Sequence, residues 1–217
     1  MTGVAWIFFD MGSTLIDESL SYPVWFQRAA ALTGGALTGE DVERGYRASI
    51  AEGEPTIAGL LRPYGFTGTS AGHLYPAELD RPYPEAATVL QALAPRYKLG
   101  IIANQGPGAE DRLERYGLRR WLSIVVASAE AGVAKPDQRI FTLALDKAGC
   151  DPGQAVMVGD RLDNDIYPAK QLGMKTIRVR QGYAADQTPR SAAHVPDATV
   201  DRLADVVSLT SGRRHAG

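Results

Sequence analysis

The chain has 217 residues, 45% of them hydrophobic and 22% charged, a net charge of −2 and one cysteine, Cys150. That is enough for one sizeable domain, or a core carrying a smaller insertion, and the apolar fraction can build a core without disulfide staples. Lys and Arg are scattered with no basic stripe to follow a phosphate backbone, so nucleic acid is excluded as the expected partner.

A single cysteine admits no internal disulfide framework and suits a reducing compartment. Cys150 follows Gly149 at an apparent helix end, where it reads as a structural or surface thiol. The apolar run at the N-terminus is too short and lacks the basic flank of a signal peptide, and no segment approaches a membrane span. A cytoplasmic protein with no membrane partner is expected.

In chain order, Val4 to Phe9 is an unbroken apolar or small run, the pattern of a parallel strand buried on both faces. It ends on Asp10, followed by Met11, Gly12, Ser13 and Thr14, whose small residues let the backbone turn tightly and approach a ligand. A carboxylate at the carboxyl edge of a parallel sheet is placed for chemistry. A turn aspartate also satisfies local N–H groups, so Asp10 takes its meaning from the rest of the chain.

Residues 17–80 have a different texture. Apolar residues recur at helical spacing through Trp25, Leu32, Val42, Tyr46 and Ile50, broken by Gly34-Gly35 and by Pro63-Tyr64-Gly65. This predicts a small helical insertion directly after the first strand and loop. Tyr22, Trp25, His73 and Tyr75 are candidate pocket residues within it, although Trp25 at this spacing fits a core position and His73 a solvated loop.

Beyond Pro84, helices and strands alternate. Helices are predicted over 85–93, 110–116, 137–148 and 165–172, and strands over 98–103, 123–127, 154–158 and 175–179. An edge strand at 197–200 and a short helix through 207 follow, and 208–217 reads as a polar tail. Repeated βα units imply an α/β, Rossmann-like parallel sheet with helices on both faces. The expected domains are a core of 1–16 and 81–207, a helical insertion of 17–80 and the tail.

The loops at one sheet edge carry residues that belong together. Asp10 follows the first strand, Lys135-Pro136 the third, and Gly159-Asp160-Arg161-Leu162-Asp163-Asn164-Asp165 the fourth. Two carboxylates converging with a lysine can hold a hard cation against an anionic substrate. Mg2+ suits such a set, because it takes oxygen ligands and is usually held by one or two carboxylates plus substrate phosphate. Lys135 would neutralise phosphoryl charge and help keep Asp10 ionised.

In these residues the chain resembles the haloacid dehalogenase-like superfamily, subfamily I, over nearly its whole length. The first motif of that family, Asp-x-Asp-Gly-Thr, is matched by Asp10 to Thr14; its lysine motif by Lys135-Pro136; its Gly-Asp-x-x-x-x-Asp motif by Gly159 to Asp165. The insertion resembles a C1 cap. The resemblance implies a phosphatase acting on a small phosphate ester in two steps, with Asp10 forming an aspartyl-phosphate that water hydrolyses. It further implies Mg2+ held by Asp10, the main-chain carbonyl of Gly12, and Asp160. Lys135 would bridge Asp10 and the phosphate, and Asp165 would orient Lys135 or a metal-bound water. A monomer or homodimer is expected.

Two positions depart from the pattern. The family's second aspartate, its proton shuttle, is Gly12 here, a loss typically costing roughly 10²–10⁴-fold. The Ser or Thr that ends its second strand is Ala103, which leaves Ser13, Thr14, Asn104 and Lys135 as the groups for phosphate. Two further readings are a catalytically degenerate binding protein and a dehalogenase. The dehalogenase relatives work without metal, and the intact 159–165 motif speaks against that reading.

Overall fold

The computed structural model describes residues 3–52, 57–68 and 71–210. Strand β1 (Trp6–Phe9) is wholly buried, and its side chains alternate between two cores. Ile7 and Phe9 face one apolar cluster, and Trp6 and Phe8 the other, as a period of two requires of a strand with both faces covered.

After β1 the chain turns through Asp10–Thr14 into a short strand β2 (Ile16–Asp17), then leaves for the insertion. Helices α1 (Ser21–Ala31), α2 (Gly39–Glu52) and α3 (Ile57–Leu61) follow. They close around Phe26, Val42, Tyr46, Ile50 and Leu61, and Ala184 of the core packs into the same cluster. The chain returns through β3 (Arg81–Pro82), which pairs antiparallel with β2, so exit and re-entry form one two-stranded ribbon. A ribbon was not expected there, because strands this short leave no periodic signal.

The rest builds the sheet: α4 (Ala86–Leu93), β4 (Lys98–Ala103), α5 (Ala109–Arg115), β5 (Leu122–Ala127), α6 (Ser128–Ala131), α7 (Gln138–Ala148) and β6 (Ala155–Gly159). Then come α8 (Tyr167–Gln171), β7 (Lys175–Val179), β8 (Ala198–Val200) and α9 (Asp205–Thr210). Strand order is β5-β4-β1-β6-β7-β8, every pairing parallel. The chain works outward on one side of β1 and then on the other, so the crevice outside a reversing sheet opens at the carboxyl end of β1, where Asp10 sits.

Each face carries its own core, from α4, α5 and α9 on one side and α7 and α8 on the other. Phe141 and Phe8 are fully buried in the second, each contributing on the order of 1.5–3 kcal/mol. The sequence marks the ends of α7: the Asp137 side chain accepts the Arg139 N–H at 2.9 Å, and Gly149 closes the helix in the left-handed conformation.

Two expectations are corrected. The helix predicted over 165–172 is α8, shorter at both ends and entered through a π-helical turn, Leu162–Ile166; Pro168 lacks the N–H a regular ladder would use. The closing helix reaches Thr210, which is buried and donates to the Val206 carbonyl, so 208–210 belong to that helix and not to the tail. Residues 211–217 lie outside the described residues. No helix among the described residues is long and apolar enough to cross a membrane.

Candidate active site

Four strand ends deliver the site. Asp10 leaves β1, Asn104 leaves β4, Lys135 lies in the loop after β5, and Asp160 leaves β6 with Asp165 on the π-helical turn behind it. Carboxylate oxygens of Asp10, Asp160 and Asp165 all fall within 4.8 Å of one another. The Lys135 ammonium lies between two of them, donating to Asp10 Oδ1 and to Asp165 Oδ1, each at 2.6 Å.

Local sequence explains the convergence. Gly159 is required because a Cβ there would run into the Asp165 carboxylate. Asp165 is also fixed by the Arg161 N–H, which donates to its Oδ2 at 3.0 Å. Arg161 reaches back to pair with Asp163, whose Oδ1 in turn accepts from Gln187. Gln187 also donates to the Ile50 carbonyl at 3.0 Å, which ties this loop to α2 of the insertion.

Three carboxylates, two of them buried and Asp10 half-buried, face one ammonium and leave an excess of negative charge. Burial first, and then the charges of Asp165 and Asp10, hold Asp160 well above the usual carboxylate range. Burial likewise pushes Asp165 up, against the pull of Lys135. Burial works to lower the Lys135 ammonium, but the Asp10 and Asp165 carboxylates overcome it, and the net direction is up. Lys135 therefore stays charged.

No protein hydrogen bond reaches the Asp160 carboxylate among the described residues, although it is buried. Three carboxylates with oxygens within 4.8 Å of one another, one of them taking no hydrogen bond from the described residues, are the donor chemistry of a hard divalent cation. The residues present therefore fit such an ion.

The remaining candidates divide. Asn104 uses both ends of its amide on the main chain of Lys135, donating to the carbonyl at 2.8 Å and accepting the N–H at 2.7 Å. Ser13 is buried, and its hydroxyl donates to Glu18 Oε2 at 2.9 Å. Thr14 is fully buried, its hydroxyl without a partner among the described residues. Gly12 forms an isolated bridge to Ile16. Of the insertion residues, Tyr22 is ringed by Trp25, Phe26, Tyr46, Tyr75 and Tyr183, while His73 stacks on Phe66.

One residue escaped the sequence reading. Glu18, one position past β2, is buried, and its Oε1 accepts from the Tyr75 hydroxyl at 3.0 Å. Burial and then the Asp80 charge push it up to about 8. A glutamate after an aspartate at a strand end carries no mark of burial.

A carboxylate–lysine–carboxylate cluster at the switch point of a parallel sheet defines a class of hydrolase site. The model of the haloacid dehalogenase-like hydrolases matches residues 4–173, and the chain belongs to that family. It is 40% identical over 132 residues to a glyceraldehyde 3-phosphate phosphatase of Methanopyrus kandleri, a stretch covering 58% of this chain and 57% of that protein. The chain thus spans little more than half the length of that relative. It is 32% identical over 183 residues to a pyrimidine 5′-nucleotidase of Escherichia coli, covering 81% of this chain and 76% of the other.

Among solved structures, a phosphatase of the same family from Thermococcus onnurineus superposes with a TM-score of 0.66 at 23% identity, covering 97% and 99% of the two chains. A 2-haloacid dehalogenase from Pseudomonas syringae does so with a TM-score of 0.63 at 24% identity, covering 96% and 98%. The fold is common to both chemistries and does not choose between them.

Proposed function

We propose that this hydrolase is a Mg2+-dependent phosphatase of small phosphorylated metabolites, working in the cytoplasm through an aspartyl-phosphate on Asp10. The observation that carries the reading is the Lys135 ammonium held at 2.6 Å from both Asp10 and Asp165, beside an Asp160 carboxylate that lacks a protein donor. The relatives named for phosphate-ester hydrolysis support it, and the carboxylate excess argues for a cation where a metal-free dehalogenase needs none.

In this reading Asp10 supplies the nucleophilic oxygen and Lys135 meets the phosphoryl charge while keeping Asp10 ionised. Asp165 and Asn104 position Lys135, one from its ammonium and the other from its main chain. Asp10, Asp160 and the main-chain carbonyl of Gly12 would hold the cation, which when bound supplies charge neutralisation to the transferring group. The helical insertion would serve as the C1 cap, its ring cluster around Tyr22 closing the site from water.

Acid quenching of the protein during turnover of p-nitrophenyl phosphate, followed by peptide mapping, tests the intermediate. Phosphate on the peptide carrying Asp10 is expected. A phosphate-free peptide during steady turnover would contradict the covalent route.

A further inference from the structure

The space in front of Gly12 is filled. A Cβ on Gly12 would lie 2.6 Å from Glu18 Oε1 and 2.8 Å from both Glu18 Cδ and Oε2. The Glu18 carboxyl therefore occupies the volume that a side chain at position 12 would take, two residues past Asp10. We infer that Glu18 is the proton carrier of this site, giving a proton to the departing oxygen of the ester and later taking one from water. The inference rests on the phosphatase reading above.

The carboxyl is built in place. Ser13 donates to Oε2 at 2.9 Å, from a backbone with φ of 51°. That left-handed conformation costs a serine about 1–2 kcal/mol and is kept where the surroundings enforce it. Tyr75, 57 residues further on, lies 3.0 Å from Oε1. A side chain at position 12 and the Glu18 carboxyl as it lies here exclude each other, so the carboxyl takes the place that the bare glycine leaves.

The hydrogen inventory leaves a proton on a linked pair of carboxyls, Glu18 and Asp80. The Tyr75 hydroxyl has one hydrogen, yet it lies within hydrogen-bond distance of Glu18 Oε1 and, at 2.8 Å, of Asp80 Oδ1. One contact must take its hydrogen from a carboxyl. Each carboxyl has one further donor, Ser21 to Asp80 and Ser13 to Glu18. One of the two carboxyls that share the Tyr75 hydrogen therefore holds a proton of its own, and Tyr75 links them.

The chemistry balances. In the first step an Asp10 oxygen bonds to phosphorus, the ester P–O bond breaks, and the leaving alkoxide takes the Glu18 proton to depart as the alcohol. In the second, water bonds to phosphorus and gives a proton to the Glu18 carboxylate. The bond from Asp10 to phosphorus breaks, which releases inorganic phosphate and restores both carboxyl groups.

The test compares wild type, Glu18→Gln, Glu18→Ala and the double variant Glu18→Ala/Gly12→Asp on two esters in Mg2+, with melting curves to confirm folding. A simple alkyl phosphate has a leaving group that needs the proton; p-nitrophenyl phosphate has one that does not. Glu18→Gln is expected to lose about 10²–10⁴-fold on the alkyl ester. On the aryl ester it should release a burst of nitrophenol before a slow steady state, because only the water step still needs the carboxyl. The double variant should regain about tenfold or more over Glu18→Ala, and it decides the matter if Glu18→Gln melts early. Equal losses on both esters without a burst, or no loss on either, would overturn the inference while leaving the phosphatase intact. Wild type inert on both esters would overturn the phosphatase reading and the inference with it.

Discussion

Asn104 holds the main chain of Lys135 at both ends, accepting its N–H at 2.7 Å and donating to its carbonyl at 2.8 Å. A side chain expected to bind phosphate thus also grips the loop from which the Lys135 ammonium is delivered. Asn104→Ala should cost about 1 kcal/mol in denaturant unfolding, the usual worth of such bonds. If Asn104 only positions Lys135, kcat should fall while KM stays close to wild type. A rise in KM with kcat unchanged would make it a substrate contact.

Lys135→Met leaves Asp10 and Asp165 facing each other without a counter-charge. Removing one partner of a buried ion cluster typically costs about 3–5 kcal/mol. A large drop in melting temperature in EDTA is expected, together with a larger recovery on adding Mg2+ than wild type shows. Equal recovery in the two proteins would mean that cation and ammonium do not share the same carboxylates.

Mg2+ should stabilise wild type in a concentration-dependent way, by about 2.7 kcal/mol at a hundredfold excess over its dissociation constant, read as a rise in melting temperature. Asp160→Asn should blunt this shift. A full shift in Asp160→Asn would remove Asp160 from the cation site.

Glu18 makes stability depend on pH. Its carboxyl is held at about 8 in the folded chain against 4.5 for the free group, by burial first and the Asp80 charge second. Between those values the folded state keeps a proton that the unfolded state has released. Stability therefore falls as pH rises, by up to about 1.4 kcal/mol per unit. The contribution is whole below pH 4.5 and gone above pH 8. In metal-free buffer Glu18→Gln, neutral throughout, should gain on wild type steadily across this window. A difference that does not change with pH would show Glu18 to be ionised in the folded chain.

The sheet was legible in the sequence because strands buried on both faces leave unbroken apolar runs; the run of residues 98–103 is strand β4 to the residue. Asp10 and Asp160 stood out because each ends or closely follows such a run, and Lys135 and Asp165 because they fall in motifs shared with the family. What escaped depends on contacts distant in sequence. Glu18 reads as a solvated charge until Tyr75, 57 residues away, and the bare backbone of Gly12 are seen around it. Asn104 looked free because nothing local discloses its grip on a main chain 31 residues further on. The π-helical turn at Leu162–Ile166 has no periodic signature at all.

The central claim is that Asp10 is the nucleophile of a Mg2+-dependent phosphatase. Phosphate release from a panel of small phosphate esters, in Mg2+ and in EDTA, beside Asp10→Asn, tests it most directly. The account predicts turnover of at least one ester in Mg2+, abolished by EDTA and by Asp10→Asn alike. Turnover that survives either EDTA or the loss of Asp10, or none above the Asp10→Asn background on any ester, would contradict it.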